Sequence, residues 1–248
     1  MLKAPMNIES PALVALPFGE DSESAVAGLP LLRLLQLASA ALPIGAFAYS
    51  QGLEQAVAMG WVTDEASAQD WILGLLTSGL GTLDLPVLVR LLRAVSLDDG
   101  RATRYWNDFL LASRASAELQ AEERHLGGAL AKVLAGVGVS RACDWAGEGT
   151  VTYAAMFAVA AVRWQIPVAA AATGYAFAWT EAQVGAATRL CPLGQRSAQR
   201  ILSCALPVIV RALACARALA DDDIGTATPA QAVASALHET LYSRLCRS

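Results

Sequence analysis

Histidine is the side chain that most often serves acid–base catalysis and metal binding, and this chain has only His125 and His238. His238-Glu239 begins like the HExxH helix of zinc proteases, but Tyr242 stands where the second histidine is required. A Ser-His-Asp triad drawn from Ser243 and His238 lacks the Gly-x-Ser-x-Gly turn of such hydrolases. Both imidazoles are therefore interpreted as surface or interface groups, with low-affinity binding of a transition metal as the alternative.

The other residue types that carry chemistry are equally sparse. Lysine occurs only at Lys3 and Lys132, and the Walker loop that cradles nucleotide phosphates needs a glycine where Ala131 stands. The five cysteines form no Cys-x-x-Cys pair, so we expect reduced thiols in a cytoplasmic protein and no structural zinc. We predict no catalytic residue, no metal site and no tightly bound cofactor, and we do not expect an enzyme.

Three acidic residues on one predicted helix, Glu118, Glu122 and Glu123, look at first like a catalytic pair of carboxylates. The neighbouring Arg124 and the regular helical spacing favour a solvated helix face instead.

Helices must position all of these residues. Apolar side chains recur at helical spacing along most of the chain, for example at Leu202, Leu206, Ile209 and Leu213. No segment of useful length alternates as a strand does. We therefore predict an all-α protein, a single-domain bundle of roughly ten helices.

The bundle is predicted to span residues 29–226, with its most apolar helices, at 151–164 and 168–188, in the centre. Residues 1–28 show no sustained period and are predicted to be a flexible extension. Residues 227–248 are predicted to form a separate C-terminal helix and tail.

The composition of the chain disfavours some classes of binding partner. The chain is 55% hydrophobic and 16% charged, and its net charge of −4 offers no basic face for nucleic acid. The most apolar stretch, Ala154 to Trp179, carries Arg163 and Gln165 at its middle, which disfavours a membrane span. We expect buried helices, no membrane, and a homodimer that covers the apolar excess.

The segment Leu42-Pro43-Ile44-Gly45 interrupts an apolar helix with proline and glycine, the two residue types that break helices most strongly. The backbone groups freed by a buried break need partners such as Tyr49, Gln51 or water. The segment is interpreted either as a tight turn between helices or as a polar interruption that lines a passage or a contact surface.

Polar residues also interrupt the apolar helix at 168–188. Glu181, Gln183 and Arg189 would be costly to bury unpaired, so they either form an internal network or face a partner. Glu181 and Arg189 are two turns apart, too far for a direct bridge, and a second helix or protomer is needed to complete it.

The C-terminal helix has a narrow apolar stripe of Val233, Leu237, Leu241 and Leu245, behind an acidic linker and a capping-box pattern at 228–231. A stripe one residue wide is too narrow to anchor firmly to its own core. The pattern favours a clamp that orders on a partner, and an ordinary docked helix is the alternative.

Side chains that are common at interface hot spots follow this stripe, namely Tyr242, Arg244 and Arg247. Deletion of residues 227–248 is therefore expected to remove little of the core.

Four stretches of the chain, read in order, resemble the UreF-type urease accessory proteins. Coverage of the resemblance runs from about Leu29 to the last residue. The stretches are LLQLASAALPIGAFAYSQGLE at 34–54, Glu181-Ala182-Gln183-Val184, Arg189-Leu190-Cys191-Pro192-Leu193-Gly194-Gln195, and His238-Glu239-Thr240-Leu241-Tyr242-Ser243-Arg244-Leu245-Cys246-Arg247-Ser248.

The resemblance implies a dimeric, all-helical scaffold that bridges a UreD-type (also called UreH-type) protein and a UreG-type GTPase. The complex, and not this chain alone, would deliver nickel to apo-urease, and a water-filled nickel route through such complexes has been proposed. The candidates for lining that route or binding a partner are Pro43, Gly45, Tyr49, Gln51, Glu54, Glu181, Gln183, Arg189, Gly194, Gln195, His238, Glu239, Tyr242, Ser243, Arg244, Leu245 and Arg247.

An alternative function within the same complex is direct activation of the GTPase by an arginine finger. The composition of the basic residues, 16 Arg against 2 Lys, weakly favours this alternative. The chain also departs from the family pattern at Ala48, Leu241 and Cys246, where relatives often have Ser, Gln and Phe, and near Thr152-Tyr153, where a His is frequent. The resemblance by itself therefore does not carry roles at those positions over to this chain.

Overall fold

The computed structural model describes residues 28–145, 147 and 149–248. Across this part of the chain the structure is α-helical and contains no strand, so the all-α prediction is confirmed. The predicted extension lies outside the described residues except for Gly28, which begins the first helix. The helices are α1 (Gly28–Leu37), α2 (Leu53–Ala58), α3 (Glu65–Leu75), α4 (Leu85–Ser96), α5 (Gly100–Ala112), α6 (Ala117–Gly136), α7 (Ser140–Cys143), α8 (Tyr153–Arg163), α9 (Val168–Leu190), α10 (Gln195–Ala218) and α11 (Pro229–His238).

Helix α8 lies at the centre of the core, as its apolar sequence predicts. Every residue from Ala154 to Ala161 is buried, and α8 packs against α4, α6 and α9. Helix α6 comes closest at Gly127, where an added Cβ would lie 2.1 Å from the carbonyl oxygen of Val151. Only glycine allows this approach, which brings the acidic residues of α6 against the core.

A π-helical stretch, Leu76–Asp84, joins α3 and α4 into one continuous helix that spans 65–96. Asp84 and Pro86 are typical of the start of a new helix, but the N–H of Leu85 bonds to the carbonyl of Leu80, five residues back, and the helix continues. Wide turns of this kind are rare and are frequent at functional sites. The stretch ends on the buried carboxylate of Asp84.

Within the residues that the structure describes, two helices are long and apolar enough, by length and composition alone, to cross a membrane. The helix at 65–96 buries 61% of its most apolar window, as a core helix does, whereas α10 buries only 28% and leaves an apolar face exposed. The apolar stretch from Ala154 to Trp179, which the sequence argument about a membrane span considered, is divided between α8 and α9. The expectation of no membrane partner stays a prediction.

Candidate functional site

A partly open cavity of about 270 Å³ lies between the segment after α1, helix α6 and helix α9. Two groups of predicted residues that are far apart in sequence meet there, because α9 runs past the turn that follows α1. Of the candidates, Pro43 is exposed, and Glu54 lies away from the cavity. Those that line it are Tyr49, Gln51, Glu181, Gln183 and Arg189.

The inner wall of the cavity holds a buried ionic cluster. Arg114 donates to the carboxylates of Asp84 and Glu123, and Glu123 also accepts from the backbone N–H of Tyr153 at 3.1 Å. Burial disfavours the charge of Arg114, but the two carboxylates outweigh it and raise the pKa of the guanidinium well above its ordinary value. Arg114 is therefore a permanent cation between two anions.

Glu122 is a third acidic group on this wall, and no basic side chain in the described part of the chain forms a salt bridge with it. Burial raises the pKa of its carboxyl to about 7, although hydrogen bonds from Gln51 Nε2 at 2.8 Å and Ser248 Oγ at 2.9 Å oppose the rise. Gln51 also accepts from Trp179 Nε1 at 2.9 Å. Between pH 4.5 and about 7 the carboxyl of Glu122 keeps its proton in the folded chain and loses it in the unfolded chain. The contribution of Glu122 to the free energy of unfolding therefore falls as the pH rises through this range.

The prediction that the acidic residues of α6 form a solvated face is wrong. Glu122 and Glu123 are 5% and 7% exposed. Their burial is possible because Arg114 neutralises one and Gln51 and Ser248 bind the other. The helical spacing was correct, but spacing alone did not indicate which face the rest of the chain covers.

The polar residues of α9 differ in whether the described part of the chain satisfies them. Arg189 donates to the carbonyl oxygen of Phe47 at 2.6 Å, so a backbone group supplies the partner that we expected from a second helix or protomer. Gln183 is 2% exposed, and its Oε1 accepts no hydrogen bond from the described residues. A buried acceptor without a partner is unusual, and here it lies on the wall of the cavity.

The break after α1 is a turn that also borders the cavity. Gly45 has φ 80° and begins a 3₁₀ turn, Ala46–Ala48. The turn leads to Tyr49, whose hydroxyl lies 2.7 Å from Nδ1 of the exposed His125. The interpretation as a tight turn therefore holds. Tyr49 and Gln51, which follow the turn, line the cavity, and that the segment lines a passage or a contact surface stays a prediction.

Gly45→Ala is expected to destabilise the fold by about 1–2 kcal/mol, because an alanine at positive φ is strained. Gly74→Ala is the matched control, since Gly74 is an exposed glycine inside α3 with nothing near its missing Cβ, and alanine is the better helix former there. Urea denaturation of both variants measures the difference. Equal stability of the two would contradict the turn argument.

The C-terminal segment docks on the core through polar contacts. The carboxylate of Glu54 in α2 accepts the backbone N–H groups of Leu245 at 2.6 Å and Cys246 at 2.7 Å. The carbonyl of Ser248 accepts from the backbone N–H of Ser50 at 2.8 Å. Burial would raise the pKa of Glu54, but these hydrogen bonds, with one from His238, bring it below its ordinary value.

The expectation that this segment cannot anchor to its own core is therefore wrong. The buried face of α11 is made of Ala234, Ser235 and His238, and the apolar residues Val233 and Leu237 are exposed. A count of apolar residues misses this arrangement, because buried polar groups supply the anchor. Deleting 227–248 would remove the hydrogen-bond partners of Glu54 in α2 and Glu118 in α6.

Two further local predictions are corrected. The capping box at Thr228 does not form, because its hydroxyl bonds to Gln231 Oε1 at 3.1 Å and not to the backbone. His238 is fully buried and is not a surface group, whereas the expectation of an exposed imidazole is confirmed for His125.

The remaining candidates are exposed in this chain, as a partner-binding role requires. Gly194 precedes α10 and Gln195 begins it. The tail exposes Glu239, Tyr242, Ser243, Arg244, Leu245 and Arg247. That they bind a partner stays a prediction, as does the absence of a metal site, although the described residues hold no cluster of three or more His, Cys, Asp or Glu that could take a metal ion.

Sequence reasoning missed four residues that complete the site, Ser50, Asp84, Arg114 and Ser248, and assigned Glu118, Glu122 and Glu123 to a solvated face. The available signal was Arg114, just before an acidic helix. A cation that close to several acids, in a chain this poor in charge, is compatible with a buried pair, although Arg124 on the same helix drew the interpretation toward a solvated face.

Several known proteins similar to this chain are described as urease accessory protein UreF. The model of the UreF family matches residues 62–205. The urease accessory protein UreF of Chromohalobacter salexigens is 48% identical over 220 residues, which cover 89% of this chain and 95% of that protein. The UreF protein of Alkalilimnicola ehrlichii is 43% identical over 89% of this chain and 97% of its own length. The UreF 2 protein of Brucella anthropi is 45% identical over 89% of this chain and 97% of its own length.

Proposed function

Because this chain belongs to the UreF family of urease accessory proteins, we propose that it is a scaffold that joins a UreD-type (UreH-type) protein to a UreG-type GTPase for nickel insertion into apo-urease. Similarity along nearly the whole length of its relatives carries this proposal. A urease accessory protein serves the enzyme and is not the enzyme itself. We expect it to act in the cytoplasm, where its free cysteines stay reduced.

The exposed side of α11 and the tail supports binding of the UreD-type partner. Val233 and Leu237 are 48% and 42% exposed, and Leu245 and Tyr242 extend the same apolar character along the tail. Apolar and aromatic groups at an exposed and otherwise well-anchored segment are typical of interface hot spots.

A second exposed apolar surface supports the homodimer. Leu29, Leu32 and Leu35 of α1 and the nearby Phe47 are 59–72% exposed. Arg33 is the one charged residue of α1. A face with so little charge suits a symmetric contact with a second copy.

The cavity supports a role in nickel transit within the assembled complex. Its wall offers carboxylates at Glu122 and Glu181 and the unpaired oxygen of Gln183, all of which are oxygen donors for a hydrated cation. Nickel is cargo of the complex in this proposal, and no resident metal is required.

Tyr242→Ala is expected to weaken binding of the UreD-type protein about tenfold or more, because a fully exposed aromatic residue gains its contacts only in the complex. The same change at the exposed Tyr105 of α5 is the control and should leave binding unchanged. Calorimetric titration of the partner measures both. Equal affinities of the two variants would argue against the tail as the interface.

Mixing the chain with UreD-type and UreG-type proteins from the same organism tests the bridging role. The proposal predicts that the two proteins co-elute on size exclusion only when this chain is present, in a complex with two copies of it. GTP turnover measured in the same fractions separates a scaffold from a direct activator. Co-elution of the two partners without this chain would overturn the proposal.

A further inference from the structure

The wall of the cavity between the turn after α1, helix α6 and helix α9 is rich in aromatic rings as well as carboxyl groups. Three of the five tyrosines of the chain line it, Tyr49, Tyr153 and Tyr175, together with Phe47 and Trp179. The rings of Tyr153 and Tyr175 stack, with centroids 5.3 Å apart. Aromatic rings attract organic cations through their π faces, and a tyrosine hydroxyl also accepts N–H groups. The aromatic wall therefore favours a ligand that is both organic and cationic.

The charges on the wall have the sign that a cation requires. Four acidic and two basic side chains line the cavity. Both basic side chains are already bound, since Arg114 lies between two carboxylates and Arg189 donates to a backbone carbonyl oxygen. Glu181 forms no hydrogen bond and no ion pair with the residues that the structure describes. Its carboxyl is therefore available to a ligand.

A second polar group on the wall also lacks a partner. The side chain of Gln183 is 2% exposed, and its Oε1 accepts no hydrogen bond from the described residues. A buried acceptor of this kind is satisfied by a ligand that donates N–H groups. Most of the other lining residues are apolar, for example Leu37, Ile44 and Leu126, so the cavity also offers hydrocarbon to the body of a ligand.

We propose that this cavity binds a small organic cation, in which an ammonium group pairs with Glu181 and a short apolar body lies against the aromatic rings. An ammonium group has three N–H donors and a positive charge, whereas an alcohol lacks the charge and a carboxylate has the opposite charge. A hydrated metal ion gains nothing from the apolar part of the wall. The volume of about 270 Å³ is large enough for a body of several carbon atoms. The inference concerns binding by the chain alone and does not rest on its proposed role in urease maturation.

The test is a titration of the full chain with pentylammonium chloride, and separately with 1-pentanol and sodium pentanoate as ligands of the same length. NMR signals of the tryptophan indole N–H groups locate the binding, because Trp179 lines the cavity and the exposed Trp61 lies outside it. We expect pentylammonium to shift the signal of Trp179 and not that of Trp61. We also expect pentylammonium to bind about tenfold or more tightly than the alcohol or the carboxylate.

Three results would overturn the proposal. The first is equal affinity for pentylammonium and pentanol, which would make the cavity merely apolar. The second is a shift of Trp61 without a shift of Trp179. The third is a shift of Trp179 with nickel chloride but not with pentylammonium, which would make the cavity a site for hydrated metal ions only.

Two variants and a control assign the binding to the cavity. Glu181→Gln removes the free carboxyl and should weaken pentylammonium binding about tenfold. Glu65→Gln, at a glutamate that is bound to Arg200 outside the cavity, should leave the affinity unchanged. Ala182→Leu places a larger side chain on the cavity wall and should weaken binding of all three ligands. Unchanged affinity in both Glu181→Gln and Ala182→Leu would contradict the proposal, and the comparison of the three ligands on the unchanged chain decides the question even if a variant does not fold.

Discussion

Replacing Arg114 by methionine is expected to lower the free energy of unfolding by about 3–5 kcal/mol, since it leaves two buried carboxylates without their cation. Asp84 and Glu123 are 5% and 7% exposed, so solvent reaches their carboxylates too little to substitute fully for the guanidinium. Methionine keeps most of the side-chain volume, which separates the loss of charge from the loss of packing. Urea denaturation with a two-state fit measures the change.

Two controls make this expectation specific. Arg200→Met removes an arginine that is 58% exposed from its pair with Glu65, and should change stability little. Adding Asp84→Asn and Glu123→Gln to Arg114→Met removes the buried charges together and should recover a large part of the loss. If Arg114→Met and Arg200→Met are equally stable, the ionic cluster does not support the fold.

Glu54→Ala is expected to release the C-terminal tail and to lower the free energy of unfolding by about 2–4 kcal/mol. Hydrogen bonds to an ionised acceptor contribute about 1.5–3 kcal/mol each and are not additive, and Glu54 accepts from Leu245 N, Cys246 N and His238. Thermal unfolding measures the stability, and limited proteolysis with mass spectrometry locates the first cleavage, which we expect within 239–248.

Glu65→Ala is the matched control, because Glu65 is also a glutamate bound by a basic side chain but lies at the surface. It should leave both the melting temperature and the first cleavage site nearly unchanged. Cleavage of Glu54→Ala elsewhere, with the tail intact, would show that other contacts hold the segment.

The features of the fold that depend on helical period and apolar content could be predicted from the sequence. The central position of α8 follows from its unbroken apolar run, and the turn at Gly45 follows from its two helix breakers. The π-helical stretch could not be predicted, because Leu76–Asp84 keeps an ordinary helical pattern and only the backbone reveals the wider turn.

The site was harder to predict because its parts are polar and distant in sequence. Gln51 and Trp179, which meet at 2.9 Å, are 128 positions apart, and no local pattern joins them. The tail was misjudged for a related reason. Its apolar stripe is the exposed side, and the residue that anchors it is a histidine that local sequence placed at the surface.

Activation of nickel-free urease in a reconstituted mixture tests the central claim most directly. Apo-urease, UreD-type and UreG-type proteins, nickel, bicarbonate and GTP are combined with and without this chain, and nickel bound per urease is measured after gel filtration. A scaffold of urease maturation predicts high nickel occupancy and urea hydrolysis only in the mixture that contains the chain. Equal occupancy without it, at the same nickel concentration, would contradict the account.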